Sequence, residues 1–158
     1  MNMDVQEYLN ELVAKARTAQ EAFAKLSQED VDKAVRAIGK AVYDHAEELA
    51  HMAVDETRMG RYDSKKAKCE NKSKSTWWRM KDKKSRGIIE RDEVNGIVKV
   101  AKPIGVVGCV TATTNPVINP MHNSMCALKC GNAVIICPHP HGIWRETMKK
   151  LEKEKCRL

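Results

Sequence analysis

Residues able to do chemistry gather in three places along the 158-residue chain. Two short polar segments, Thr-Ala-Thr-Thr-Asn-Pro at 111–116 and Pro-His-Pro-His at 138–141, each follow a Val/Ile-rich run. Hydroxyls, a carboxamide and imidazoles at the carboxyl ends of strands are what an open α/β sheet offers a ligand. Asn115 before Pro116 is, taken alone, an ordinary turn and cap element. The cysteines come next. Cys126, Cys130 and Cys137 with His139 raise a metal site, but the paired-ligand spacing of such sites is missing, so no metal is expected. Cys109 and Cys137 stand in apolar runs, where a cysteine acts as a small buried hydrophobe. With Cys69, Cys126, Cys130 and Cys156 they read as free thiols in a reducing compartment.

The third place is basic. Lys65, Lys66, Lys68, Lys72, Lys74, Arg79, Lys81, Lys83, Lys84 and Arg86 face only Glu70 and Asp82, so this block accounts for the net charge of +7. With Trp77 and Trp78 inside it, the block could mark a nucleic-acid footprint. No nucleic-acid motif surrounds it, and a solvated helix face with both tryptophans turned inward is the reading preferred.

Positioning these groups falls to a helical half and a strand-rich half. Val5, Leu9, Leu12, Val13, Ala16, Phe23 and Leu26 recur at helical spacing. Ser27 with Asp30 then offers a weak capping box. A second helix through Val31, Val35, Ile38, Val42, Leu49 and Met52 is expected to run until Gly60, and a third to cover the basic block to about Asp82. From Gly87 the pattern alternates around Asn95-Gly96, which predicts an antiparallel hairpin with a loop longer than two residues. Residues 104–110 and 133–137 read as strands buried on both faces. Between them, Asn119-Pro120 can open a helix through Met121, Met125 and Leu128, and Gly131 can close it. Strand, loop, helix and strand in this order make a right-handed parallel βαβ unit. The Gly-x-Gly-x-x-Gly fingerprint is absent, so Gly105 and Gly108 are expected to permit close packing rather than to cradle a pyrophosphate.

The fold class is therefore α/β, expected in three parts: a helical segment 1–86, a hairpin 87–102 and a partial Rossmann-like unit 103–158. No run approaches the roughly 20 apolar residues of a membrane span. The start carries Asp4, Glu7 and Glu11 and no basic region before an apolar block, so a cytoplasmic protein without membrane association is expected.

Several motifs occur together in one order. Pro-Ile-Gly-Val-Val-Gly at 103–108, Thr-Thr-Asn-Pro at 113–116, Ala-Leu-Lys at 127–129, Gly-Asn-Ala-Val-Ile at 131–135 and Pro-His-Pro at 138–140 resemble the first βαβ unit of the aldehyde dehydrogenase superfamily. Glu56-Thr57 and Gly-Ile-Ile-Glu at 87–90 are similar to its CoA-acylating branch. The resemblance reaches to about His141. It implies an NAD- or NADP-dependent oxidoreductase that converts a small aldehyde and coenzyme A to acyl-CoA. It further implies that Asn115 is the catalytic donor to the oxyanion, with Thr113 and Thr114 beside the nicotinamide and Pro138 and His139 beside the adenosine. His122 and His141 match no family role and are expected to be exposed.

There are departures. Cys137 stands where the acylating branch commonly has serine and other members have lysine, which leaves NAD against NADP open. Pro120 is unusual after Asn115, although tolerable in a first helical turn. None of the cysteines has the context of the family nucleophile, and the motifs fade into a charged helix from Trp144. The expectation is a truncated chain, inactive alone, whose exposed strands and hairpin make it a homo-oligomer or prone to aggregate. Two other readings stand beside this one: a non-catalytic remnant acting only in subunit interaction, and, less favoured, a basic nucleic-acid-binding protein.

Overall fold

Caps set the helices of the computed structural model, which describes residues 4–139. Asp4 accepts the Gln6 amide and opens α1 (Val5–Phe23). Arg86 closes it, donating to the carbonyls of Phe23 and Ala24, which a helix end leaves without partners. At the next start Ser27 accepts the Asp30 amide at 3.1 Å and donates its hydroxyl to the Asp30 carboxylate at 2.6 Å. This opens α2 (Gln28–Asp44), and the same hydroxyl is the main reason the carboxyl of Asp30 lies below its ordinary pKa.

The single helix expected to run to Gly60 is broken. α2 stops at His45 (φ −102°, ψ 19°) and α3 (Ala46–Thr57) begins after it. The buried series Val31, Val35, Ile38, Val42, Ala46, Leu49 and Ala53 keeps helical spacing across the break, so the periodicity cannot register it. The change of direction lets α3 lie on α4 (Tyr62–Met80), while α2 packs against both α4 and α5 (Ile118–Lys129). Thr57 ends α3: its hydroxyl donates to the Ala53 carbonyl at 2.5 Å and accepts the Met59 amide at 3.2 Å.

The main core joins sequence-distant helices. Val31, Val35 and Val42 meet Met121 and Met125, all 1% exposed or less, with Cys69 and Val117 in the same cluster. Gly39 lets α2 and α5 close up, since a Cβ there would stand 3.1 Å from the Met125 methyl. Beside this cluster Lys129 is 4% exposed and pairs with Asp32, which also accepts from Gln28 at 3.1 Å. Such a pair clamps α2 to α5, and losing one partner would strand a buried charge.

The hairpin forms as expected. β1 (Gly87–Asp92) and β2 (Ile97–Ala101) are antiparallel, with a bulge between Ile88 and Glu90. Four residues, 93–96, make the loop. Asp92 accepts the backbone and side-chain amides of Asn95 at 3.0 and 2.7 Å, and Gly96 takes φ 67°.

β3 (Val106–Val110) and β4 (Ala133–Cys137) pair in parallel, Val106 opposite Ala133 and Val110 opposite Cys137. The mixed helix-and-strand fold and the βαβ unit therefore stand. Two details differ. The strands are not buried on both faces: β4 is half-buried over 133–136, Ile104 is 90% exposed and Val110 87%. Both α1 and α5 lie on the pair, yet among the described residues no further strand joins its outer edges. Moreover α5 starts at Ile118 after an uncapped Val117, so Pro120 is its third residue rather than its first. The first four helical amides have no intrahelical acceptor, which is why proline fits there too. Gly131 closes α5 at φ 79°, with Asn132 donating back to Ala127 at 3.0 Å and Gly131 to Leu128 at 2.8 Å. This is the glycine-terminated double bond of a helix end. Asn132 then accepts the amides of Ile104 and Gly105 at 2.7 and 3.0 Å, pinning the start of β3 to that of β4. The charged segment from Trp144 and the residues Pro140, His141 and Cys156 lie outside the described residues.

Candidate active site

The loop between β3 and α5 is held at both ends. Thr111, 5% exposed, extends the ladder by donating to the Cys137 carbonyl at 3.0 Å. Pro116 and Val117 are buried, and Val117 enters the core. Between these anchors Thr113 and Asn115 are half-buried and Thr114 is exposed. Only the backbone of Asn115 serves the following helix, its carbonyl accepting the Asn119 amide at 3.2 Å. No side chain caps α5. The carboxamide is thus released from the cap role that an Asn before a Pro ordinarily suggests.

It is held instead by the basic helix. Lys68 Nζ donates to Asn115 Oδ1 at 3.1 Å, and Lys65 Nζ to the Thr114 carbonyl at 2.5 Å. Asn115 Nδ2 lies 3.3 Å from the Thr114 hydroxyl. Lys65, Lys68, Cys69, Ala53 and the segment 115–118 line a small, shallow cleft open to solvent. Burial, and then the charge of Lys68, pull the Lys65 ammonium below its ordinary pKa. Burial pushes the Cys69 thiol up to about 11. Cys69 is therefore a neutral thiol near pH 7, the wrong form for a nucleophile.

Sequence reasoning missed the two lysines, taking the block as a solvated face. The available signal was the spacing of Lys65, three residues before Lys68 and four before Cys69, which puts it beside both on the surface of α4. Most of the rest of the block is turned outward, with Lys66 paired to Glu47 at 3.0 Å and Lys74 over the Tyr43 ring, but Arg86 reaches back to the end of α1. Of the block's two tryptophans, Trp77 packs on the core. Trp78, about 100° further round the helix, is 71% exposed beneath Lys81.

Pro138 and His139 follow β4 and are exposed, at the same carboxyl edge of the parallel pair as 111–115. Open α/β sheets bind ligands at an edge of this kind. The glycines do not perform their expected packing role: a Cβ at Gly105 or Gly108 would meet nothing within 4 Å, and Gly105 is needed for φ 122°. Cys137, expected to be buried, is exposed at the end of β4, and Cys109 is half-buried. His122 is exposed, 3.4 Å from the Thr76 hydroxyl. Among the described residues no group of three His, Cys, Asp or Glu could hold a metal, and no helix is long and apolar enough to cross a membrane.

Comparison with known proteins gives this geometry its context. The aldehyde dehydrogenase family model matches residues 2–147. The succinate-semialdehyde dehydrogenase (acetylating) of Clostridium kluyveri is 50% identical over 132 residues, 84% of this chain and 29% of that protein. An acetylating aldehyde dehydrogenase from Geobacillus thermoglucosidasius superposes with a TM-score of 0.89 at 30% identity, over 96% of this chain and 34% of that one. An engineered glycolyl-CoA reductase with bound NADP+ superposes with 0.76 at 26% identity, over 94% and 34%. The chain thus spans about a third or less of each of these proteins. The family match over nearly the whole chain and the 50% identical relative lead to one conclusion: the chain belongs to the aldehyde dehydrogenase family, with CoA-acylating enzymes among its relatives.

Proposed function

We propose that these residues are the N-terminal part of an enzyme that converts a small aldehyde, coenzyme A and NAD+ or NADP+ to acyl-CoA and the reduced nicotinamide. The observation that carries this reading is the Asn115 carboxamide, unused by the helix and held at the cleft by Lys68. When a thiolate adds to an aldehyde, the carbonyl oxygen gains negative charge, and a preorganised N–H aimed at it lowers the barrier. Asn115 Nδ2 supplies that donor. NAD(P), when bound, accepts the hydride that the aldehyde carbon gives up. Thr113, Thr114, Pro138 and His139 form the bed for it along the carboxyl edge. Coenzyme A then takes the acyl group from sulfur. The nucleophilic cysteine comes from outside these 158 residues, Cys69 being held as a thiol, so the residues alone turn over no aldehyde. In the assembled protein the hairpin contributes a contact between copies of the chain, its Ile97, Val98 and Val100 standing about half exposed.

A chimera tests this reading. Residues 4–139 replace the matching segment of the Clostridium kluyveri enzyme, and NADH formation is followed with aldehyde and CoA. The 158-residue chain alone serves as the blank and should give no signal above background. In the chimera Asn115→Ala should lower kcat roughly 10²-fold, the scale of one lost oxyanion donor. Unchanged kcat at saturating substrates would return Asn115 to a structural role.

A further inference from the structure

A carboxamide has two ends of nearly equal shape and opposite chemistry: the oxygen accepts and the nitrogen donates. Only one of its two orientations presents N–H to an oxyanion, so an oxyanion asparagine needs something to choose between them. In this chain the choice falls to Lys68. Its ammonium carries donors only, and it stands 3.1 Å from Asn115 Oδ1. A flipped carboxamide would set N–H against N–H at that distance. With the oxygen engaged, Nδ2 turns away from α4. One of its hydrogens reaches the Thr114 hydroxyl at 3.3 Å, and the other remains to donate. Among the described residues Lys68 forms no ion pair that would draw it elsewhere.

The backbone beneath the carboxamide is fixed separately. Lys65, one turn earlier on α4, holds the Thr114 carbonyl. Its stem lies over Gly60, where a Cβ would come within 2.9 Å of Lys65 Cε and where φ is +81°. The turn that ends α3 is thereby shaped to let Lys65 cross to the loop.

We propose that Lys68 is a positioning residue that sets the orientation of the Asn115 carboxamide, while Lys65 fixes the main chain beneath it. The functional meaning rests on Asn115 being the oxyanion donor; the orientation itself does not. The test uses the whole 158-residue chain labelled with ¹⁵N. The side-chain NH₂ signals of Asn115 are identified by their loss in Asn115→Ala. Lys68→Met and Lys68→Ala should both shift these signals toward the positions of an unconstrained asparagine side chain. Lys68→Arg, which keeps a charged donor, should hold them near their original positions. Lys65→Met should move the Thr114 and Asn115 backbone signals more than the side-chain pair. Helical circular dichroism selects the folded variants, and having two neutral replacements keeps one readable. Asn115 signals that stay in place in Lys68→Met or Lys68→Ala would overturn the proposal, as would an arginine variant shifted as far as the neutral ones. Because none of these readouts needs turnover, failure here is distinct from failure of the chimera assay.

Discussion

Two Lys–carboxylate pairs, one in the helical core and one in the hairpin, show how unevenly this chain is held together. Lys129 and Asp32 join α5 to α2 across nearly a hundred residues of sequence, with side chains 5% and 22% exposed. Lys99 and Glu90 face each other across the hairpin at 2.9 Å, 56% and 52% exposed. The first pair sits beside a cluster of fully buried side chains. The second sits on a hairpin that, among the described residues, packs chiefly on itself, with Ile88, Ile89, Ile97, Val98 and Val100 roughly a third to a half exposed. One region carries its own cover, and the other presents an apolar surface of the kind that takes a partner.

The largest effect expected follows directly. Lys129→Met should cost about 3 kcal/mol, the low end for breaking a buried pair, since Asp32 keeps Gln28 and some water. Lys99→Met should cost below about 1 kcal/mol, as an exposed pair does. Urea denaturation followed by helical circular dichroism measures both. Equal losses would mean that the hairpin is as well covered as the core, and the contrast between the regions would be gone.

An intermediate effect is expected at Asn132, 4% exposed, which sits between helix end and strand start. Asn132→Ala removes the acceptor for the Ile104 and Gly105 amides and should cost about 1–2 kcal/mol, part of it recovered because water reaches Ile104. Hydrogen exchange should quicken at Ile104 and Gly105 and leave the α2 amides alone. Unchanged exchange at both would show that the β3 start is set by the ladder rather than by Asn132.

The smallest effect belongs to the hairpin loop. Hydrogen bonds from Asn95, side chain first and then backbone, hold the Asp92 carboxyl below its ordinary 3.8. A lowered folded-state pKa means that the loop's contribution is fully present above 3.8 and fades as pH falls through the lower folded value. The Asn95 amide shift should titrate with a midpoint under 3.8, with no change in the helical signal there. A midpoint at or above 3.8 would mean that the Asp92–Asn95 bonds do not hold in solution.

Local chemistry carried much of the reading. Alternation around Asn95-Gly96 located the hairpin, Ser27 and Asp30 located a helix start, and Gly131 located a helix end. Each is a demand the backbone makes on a few neighbouring residues, and so is visible in a linear string. The parallel pairing of 106–110 with 133–137 was legible for a related reason, since two apolar runs joined by one helix have few permitted arrangements. The break at His45 was not legible, because the apolar spacing continues through it while the packing changes from α4 and α5 together to chiefly α4. Nor was the direction of Trp78, or the exposure of Cys137, which depends on what lies beside the strand.

For the site the division is the same. Sequence by itself determined that Thr113, Thr114 and Asn115 occupy a loop at the carboxyl end of a parallel strand. Only tertiary structure decided that the Asn115 carboxamide is released from capping, and that Lys65 and Lys68 hold this loop from 47 and more residues away. Ammonium groups reach that far in sequence only when helices pack, and packing is a sum over surfaces that a linear pattern does not record.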